Sequence, residues 1–357
     1  MKNYDLSNLR KSVTKGIPGL SIGFSNPKIW ISTGNYSLNY RISGSFFKGI
    51  PLGKVTVMAG ETGSGKSYIC SGNLIREAQK KGIFCILIDT ENALDEDWLK
   101  RLGVDTSEDK LLKVNMSMID DLAKFMSQLI KNYKEIYGSS GDESPGILVV
   151  VDSLGMMVSA TDVEQFQKGD LKGDMGRKPK QLAALVRNLV NSLGDLNIGL
   201  VATNHTYASQ DQFDPEDKIS GGQGFLYAAS IVVAIKKLKL KEDDEGNKIS
   251  DVTGIRAKCK ILKSRFSKPY EEVEIKIPWY KGMDPFSGLF DILEKEEKIF
   301  KEGNRYVYKF SNGETVKLFR KEFESDQELL LKIMNDIEKR NIGNENLHNE
   351  QSEREKE

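Results

Sequence analysis

The 357-residue chain has only three cysteines, no long apolar run and no surplus of charge of either sign. Cys70, Cys85 and Cys259 show no CxxC or other metal-ligand spacing and sit in apolar or helical stretches. That excludes a disulfide framework and predicts free, reduced thiols in a cytosolic protein. The strongest apolar run, residues 147–151, stops at Asp152, far short of a membrane span. The opening Met1-Lys2-Asn3-Tyr4-Asp5 lacks the apolar core of a secretion signal. Basic and acidic residues number 52 each. A nucleic-acid partner therefore cannot be argued from net charge, and any such binding must rest on local loops. There is no internal repeat. At 39% hydrophobic residues, the chain can bury one large α/β core with one or two small appendages.

Four stretches differ in texture. Residues 1–28 are polar, broken by glycine and proline, and read as an arm with a short basic helix at 6–13. From Trp30 strands and helices alternate: strands at 55–58, 83–88, 147–151 and 198–202, helices at 67–80, 96–102, 119–137 and 181–196. Alternation of this length predicts right-handed βαβ units and a parallel sheet covered on both faces. Strands at 231–240, 253–262 and 271–277 follow without helices and read as antiparallel additions. Residues 161–179 and 205–224 read as long functional loops. Residues 29–285 form the expected core and 286–340 a small α/β unit. The polar, Glu-rich tail 341–357 is expected to be disordered.

Between the first buried strand and its helix stands Gly60-Glu61-Thr62-Gly63-Ser64-Gly65-Lys66-Ser67, the P-loop pattern GxxxxGKS. Its glycines let backbone N–H groups and the helix N-terminus surround phosphates. Lys66 can reach the β- and γ-phosphates, Tyr68 follows at the nucleotide, and the Ser67 hydroxyl can bind Mg²⁺. Asp152 ends the 147–151 strand. An acid there is often only a turn or cap, but beside a P-loop it is placed to hold the Mg²⁺ shell. ATP and Mg²⁺ are thus the expected cofactors. Kinases, transporters, helicases and recombinases share these two motifs.

The run Ile88-Asp89-Thr90-Glu91-Asn92-Ala93-Leu94-Asp95, with Leu102-Gly103-Val104-Asp105 after it and Ile31-Ser32-Thr33-Gly34 before, strongly resembles the RecA family. Asp152-Ser153-Leu154-Gly155, residues 201–207 and residues 282–289 look like the UvsX group of T4-like phage recombinases within it. The likeness covers about residues 30–291. It implies a RecA-like P-loop ATPase core, filament formation through the N-terminal arm, and pairing of single-stranded DNA with a homologous duplex. It also implies a single-strand-binding protein and a mediator as partners, and the cytoplasm, a host's if phage-encoded, as location.

Residue by residue, the resemblance makes Glu91 the base that activates water. Asp95 and Trp98 become adenine contacts, although RecA has tyrosine at the second. His205 stands where RecA has a glutamine that senses the γ-phosphate. Lys263 and Arg265, the second a lysine in RecA, would reach the neighbouring protomer's ATP. The two long loops become DNA loops, with Met175, Gly176, Arg177, Lys180 and Arg187 from the first and Tyr207, Gly221 and Gly222 from the second. For each loop charge the plainer reading is a solvated surface residue. Two other functions stay open, a hexameric helicase of the same fold and a mediator that exchanges no strands. Only some 28 residues precede the core, which disfavours the first, and intact Lys66, Glu91, Asp152 and Lys263 disfavour the second.

Overall fold

The computed structural model describes residues 25–138, 144–169, 176–207, 209, 217–243 and 246–354. Most of the expected arm, with its helix at 6–13, lies outside the described residues. Strand β1 (Trp30–Ile31) pairs antiparallel with β2 (Ile50–Pro51). Between them runs α1 (Tyr36–Ser43), opened by the Asn35 side chain accepting from the Leu38 N–H and closed by left-handed Gly44. The sequence reading did not place this helix, because its buried side includes Ser37, Asn39 and Arg41 rather than an apolar stripe. Two of these, Asn39 and Arg41, are bonded instead, while the Ser37 hydroxyl is buried without a partner among the described residues. Asn39 accepts from Thr33 and donates to Ser32, while Arg41 reaches Glu271 and Glu296.

Strand β3 (Val55–Gly60) is buried throughout and leads through the P-loop into helix α2, which is π-helical over Tyr68–Leu74 and α-helical over Ile75–Gln79. Next come β4 (Phe84–Asp89), α3 (Glu96–Arg101), β5 (Leu111–Asn115), α4 (Ile119–Tyr137) and β6 (Ile147–Asp152). Helix α5 (Ala160–Gln167) falls in the first stretch expected as loop. A capping box between Ser159 and Asp162 starts it. Its lack of buried residues left no apolar period to read. Helix α6 (Arg177–Leu193) precedes β7 (Ile198–Tyr207), β8 (Lys218–Ile219) and α7 (Gln223–Ala228). The second expected loop is thus also partly ordered: β7 continues to Tyr207 because β8 pairs antiparallel with its end.

Strands β9 (Ile231–Leu240), β10 (Gly254–Lys263) and β11 (Glu272–Pro278) complete a sheet ordered β11-β10-β9-β3-β7-β6-β4-β5, with β8 on β7. Strands β9 through β5 in that order are parallel, as expected for the core. One expectation is corrected here. Strand β9 is not an antiparallel addition, since it pairs parallel with β3. Of the three strands read as additions, only β10 and β11 run antiparallel.

Alternate residues feed two cores. Met58, Leu148 and Val150 face α1 and α2. Val57, Val149 and Val151 face α4 and α6, which supply Leu122, Met126, Leu185 and Leu189. The three cysteines are buried and free. Burial pushes the Cys85 and Cys259 thiols up to about 12 and the Cys70 thiol well above its usual value.

Beyond β11, α8 (Leu289–Lys295) leads to a small antiparallel sheet of β12 (Phe300–Glu302), β13 (Arg305–Lys309) and β14 (Thr315–Leu318). Helices α9 (Arg320–Ser325) and α10 (Gln327–Arg354) finish the chain. Phe290, Tyr306, Phe323 and Ile333 join the same apolar cluster as α1 and α2. Helix α10 runs on to Arg354 through the tail expected to be disordered. Once a helix is nucleated by packed residues such as Leu330 and Ile333, each further turn costs little, even in a polar sequence. No helix among the described residues is long and apolar enough to cross a membrane.

Candidate functional site

The carboxyl edge of the parallel sheet gathers the motifs. Register sets Gly60 beside His205 on one flank and Ile235 on the other, and sets Asp89 between Asn115 and Asp152. One cleft is lined by Thr62, Gly63, Lys66, Ser67, Glu91, Asp152 and His205. Residues predicted from four separate stretches are thereby brought together.

The P-loop is built for an anion. Gly63 and Gly65 hold φ of +75° and +93°, which a side chain rarely adopts. A Cβ on Gly60 would stand 2.4 Å from the Ile235 carbonyl. Lys66 is buried, and its ammonium donates to the carbonyls of Gly60 and Glu61, both at 2.8 Å. Burial pulls its pKa below the usual lysine value, with Asp152 and Glu91 opposing that shift. The loop's tip is strapped to β9. The Lys237 ammonium donates to the Thr62 carbonyl at 3.0 Å, and the Lys237 N–H donates to Glu61 Oε1 at 3.0 Å. A phosphate fits this cradle of turned glycines around a sequestered ammonium.

Asp152 is almost wholly buried and accepts from the hydroxyls of Ser71 (2.9 Å) and Thr203 (2.5 Å). Across the cleft, Glu91 Oε1 accepts from Ser153 Oγ at 2.8 Å, and His205 Nε2 stands 3.3 Å from the same oxygen. Thr90 bonds the backbone of Asp152 and Ser153 through its own N–H and hydroxyl. Serine, threonine and imidazole thus fix two carboxylates beside the P-loop. His205 therefore sits within β7 and faces Glu91, rather than opening a loop after the strand. Its carbonyl accepts from the Ser220 N–H at 2.9 Å. Asn204, fully buried, donates to the Ser220 carbonyl and accepts from the His205 N–H.

Five predicted nucleotide or transition-state residues lie apart from the cleft lining. Asp95 caps α3 by accepting from the Trp98 N–H at 2.8 Å, and Trp98 packs partly into the core. Lys263 donates to the Tyr227 carbonyl, and burial lowers its pKa with Arg265 adding to the effect. Exposed Arg265 lies close enough to Lys54 to lower that ammonium's pKa, after burial. Tyr68 is turned to Met283, whose N–H it accepts at 3.1 Å.

The two loops meet. Met175 lies outside the described residues, but Gly176, at φ +84°, opens α6. Lys178 at that end donates to the Gly155 carbonyl. Gly221 and Gly222 have φ of +87° and +84°, and a Cβ on either would press on Leu182 or Pro179 of α6. Arg177, Lys180 and Arg187 are exposed along α6, and Tyr207 is exposed at the end of β7.

Sequence reasoning missed Ser71, Thr203, Ser153, Asp89, Lys113 and Lys237, whose roles depend on strand order. It also missed a groove next to Thr206 lined by Lys236, Lys258 and Lys260 with Asp217 and Glu272. Alternating lysines in β10 were its available signal.

A glycine-rich turn between a buried strand and a helix, with an acid ending a strand two places along a mainly parallel sheet, defines a P-loop α/β protein of the RecA fold. Residues 9–284 match the RecA N-terminal domain, and the chain belongs to the RecA family. It is 28% identical over 317 residues to the mitochondrial DNA repair protein recA homolog 3 of Arabidopsis thaliana, covering 85% of this chain and 67% of that one. Protein RecA of Paracoccus denitrificans is 27% identical over 294 residues, 81% of this chain and 75% of the other. The mitochondrial DNA repair protein recA homolog of Dictyostelium discoideum is 28% identical over 359 residues, 98% of this chain and 73% of its own.

Proposed function

We propose that this chain is an ATP-driven DNA recombinase. It would form helical filaments on single-stranded DNA, pair that strand with a homologous duplex, and serve recombination, repair and recombination-dependent replication. The observation carrying this reading is the single cleft that joins Lys66, Ser67, Glu91, Asp152 and His205, with a Lys178 side-chain bond to Gly155 tying in the first loop and a His205–Ser220 backbone bond the second. Motifs at 201–207 and 282–289 favour the UvsX group of T4-like phages. A single-strand-binding protein and a mediator are its proposed partners.

Bound ATP with Mg²⁺ would supply the phosphoryl group and the charge neutralisation that its transfer needs. The P-loop N–H groups and Lys66 would bind phosphate, Ser67 and Asp152 would hold the metal, and Asp95 and Trp98 would receive the base. Glu91, oriented by Ser153, takes the proton from attacking water. Lys263 and Arg265, which do not line their own chain's cleft, would act in the neighbour's, so that assembly completes the site. Arg177, Lys180 and Arg187 contact DNA phosphates, and Gly221 and Gly222 let the backbone approach the strand. The test is hydrolysis of ATP with and without single-stranded DNA, then exchange of a circular single strand into a homologous linear duplex. Stimulation and exchange are expected; hydrolysis indifferent to DNA would contradict the proposal.

His205 links the two activities. Its ring stands at Glu91 while its carbonyl holds Ser220 next to Gly221, so a change at the γ-phosphate can move the second loop. His205→Ala is expected to leave nucleotide affinity near wild type, yet ATP no longer tightens binding to single-stranded DNA. Measured DNA affinity with a non-hydrolysable ATP analogue and with ADP should become nearly equal. A wild-type ratio, or a fall in melting temperature with both affinities weakened alike, would make the residue merely structural.

A further inference from the structure

Asp89 ends β4 with a side chain only 1% exposed. Its Oδ1 accepts from the N–H groups of Glu91 (3.2 Å) and Ala93 (3.3 Å), and its Oδ2 from Leu94 (3.0 Å). The Lys113 ammonium, from the neighbouring edge strand β5, stands 3.1 Å from Oδ2 and is itself bonded to Asn115. A carboxylate offers about four lone-pair positions. Three N–H donors and one ammonium occupy them, so Asp89 has none left for a metal, although it lines the cleft beside Asp152. The backbone from residue 89 to 94 is wrapped around one anion, with Asn92 held at φ 52° inside the turn.

We propose that Asp89, clamped by Lys113, is a positioning residue that fixes the backbone carrying Glu91 and so places its carboxylate over the cleft. This rests on the reading of Glu91 as the water-activating base. Ser153 orients the end of the Glu91 side chain, and Asp89 sets where that side chain starts. The ammonium adds to the N–H bonds of Leu94 and Ala93 in keeping this nearly buried carboxylate ionised. Without it the turn exchanges bonds with water and Glu91 wanders, and displacements of about 1 Å can cost up to about a hundredfold in rate.

The test compares wild type, Lys113→Met and Lys113→Arg, by hydrogen exchange of the unliganded protein and by steady-state ATP hydrolysis on single-stranded DNA. Lys113→Met is expected to speed exchange in residues 90–95 about tenfold while residues 147–152 stay unchanged. Its kcat should fall about tenfold with KM for ATP within about twofold. Lys113→Arg should restore both. Wild-type exchange and kcat in Lys113→Met would overturn the proposal, as would exchange rising equally everywhere with a lower melting temperature. Wild-type protein that hydrolyses no ATP would sink the enzymatic reading, and the exchange data would still judge the clamp.

Discussion

Glu91→Gln is expected to cut DNA-stimulated ATP turnover at least about a hundredfold, roughly 3 kcal/mol of barrier, with ATP binding and assembly on DNA retained. Glutamine keeps the volume of the side chain and can still accept from Ser153 Oγ, now 2.8 Å from Glu91 Oε1. What it cannot do is take a proton from water. The bonds that hold this turn are made by the Asp89 carboxylate, the Thr90 hydroxyl and backbone groups, not by the Glu91 carboxylate, so the substitution leaves them intact. Steady-state kinetics beside a nucleotide-binding titration measures the effect. Near wild-type turnover would remove Glu91 from the base role.

Mixing two inactive variants is expected to restore activity. Lys66→Ala removes the ammonium held by the Gly60 and Glu61 carbonyls; Lys263→Ala/Arg265→Ala removes the basic pair that lies away from that cleft. Each variant alone should hydrolyse ATP at well under a hundredth of the wild-type rate, since removing a charge aimed at the transferring phosphoryl group costs about 3 to 4 kcal/mol. In a mixed filament some interfaces join an intact P-loop to an intact basic pair. Random mixing of equal amounts makes about a quarter of them complete, which sets the expected recovery. Activity no greater than the sum of the separate variants, in filaments shown to contain both, would place the basic pair outside a shared site.

Much of the core was legible because its strands are short apolar runs, β6 nearly pure in β-branched residues, which is what burial on both faces requires. The P-loop and Asp152 were legible because glycine spacing and an acid after an apolar strand carry their own physics. Helix α1 was not, since its buried Asn39 and Arg41 read as solvent-facing until their partners are known. Strand β5 buries only Leu111 well and shows no alternation. The parallel pairing of β9 with β3 is a matter of strand order, which local pattern does not encode. The same limit hid the site's finer chemistry. Glu91 and His205 are separated by 114 residues, and Asp89 meets Lys113 only because β5 is the edge neighbour of β4.

Imaging the protein with ATP and single-stranded DNA tests the central claim most directly. An open helical filament that forms with ATP and is lost with ADP is the predicted result. Closed rings would mark a helicase-like motor, and isolated protomers on DNA a mediator; either would contradict a recombinase whose active site is completed by its neighbour.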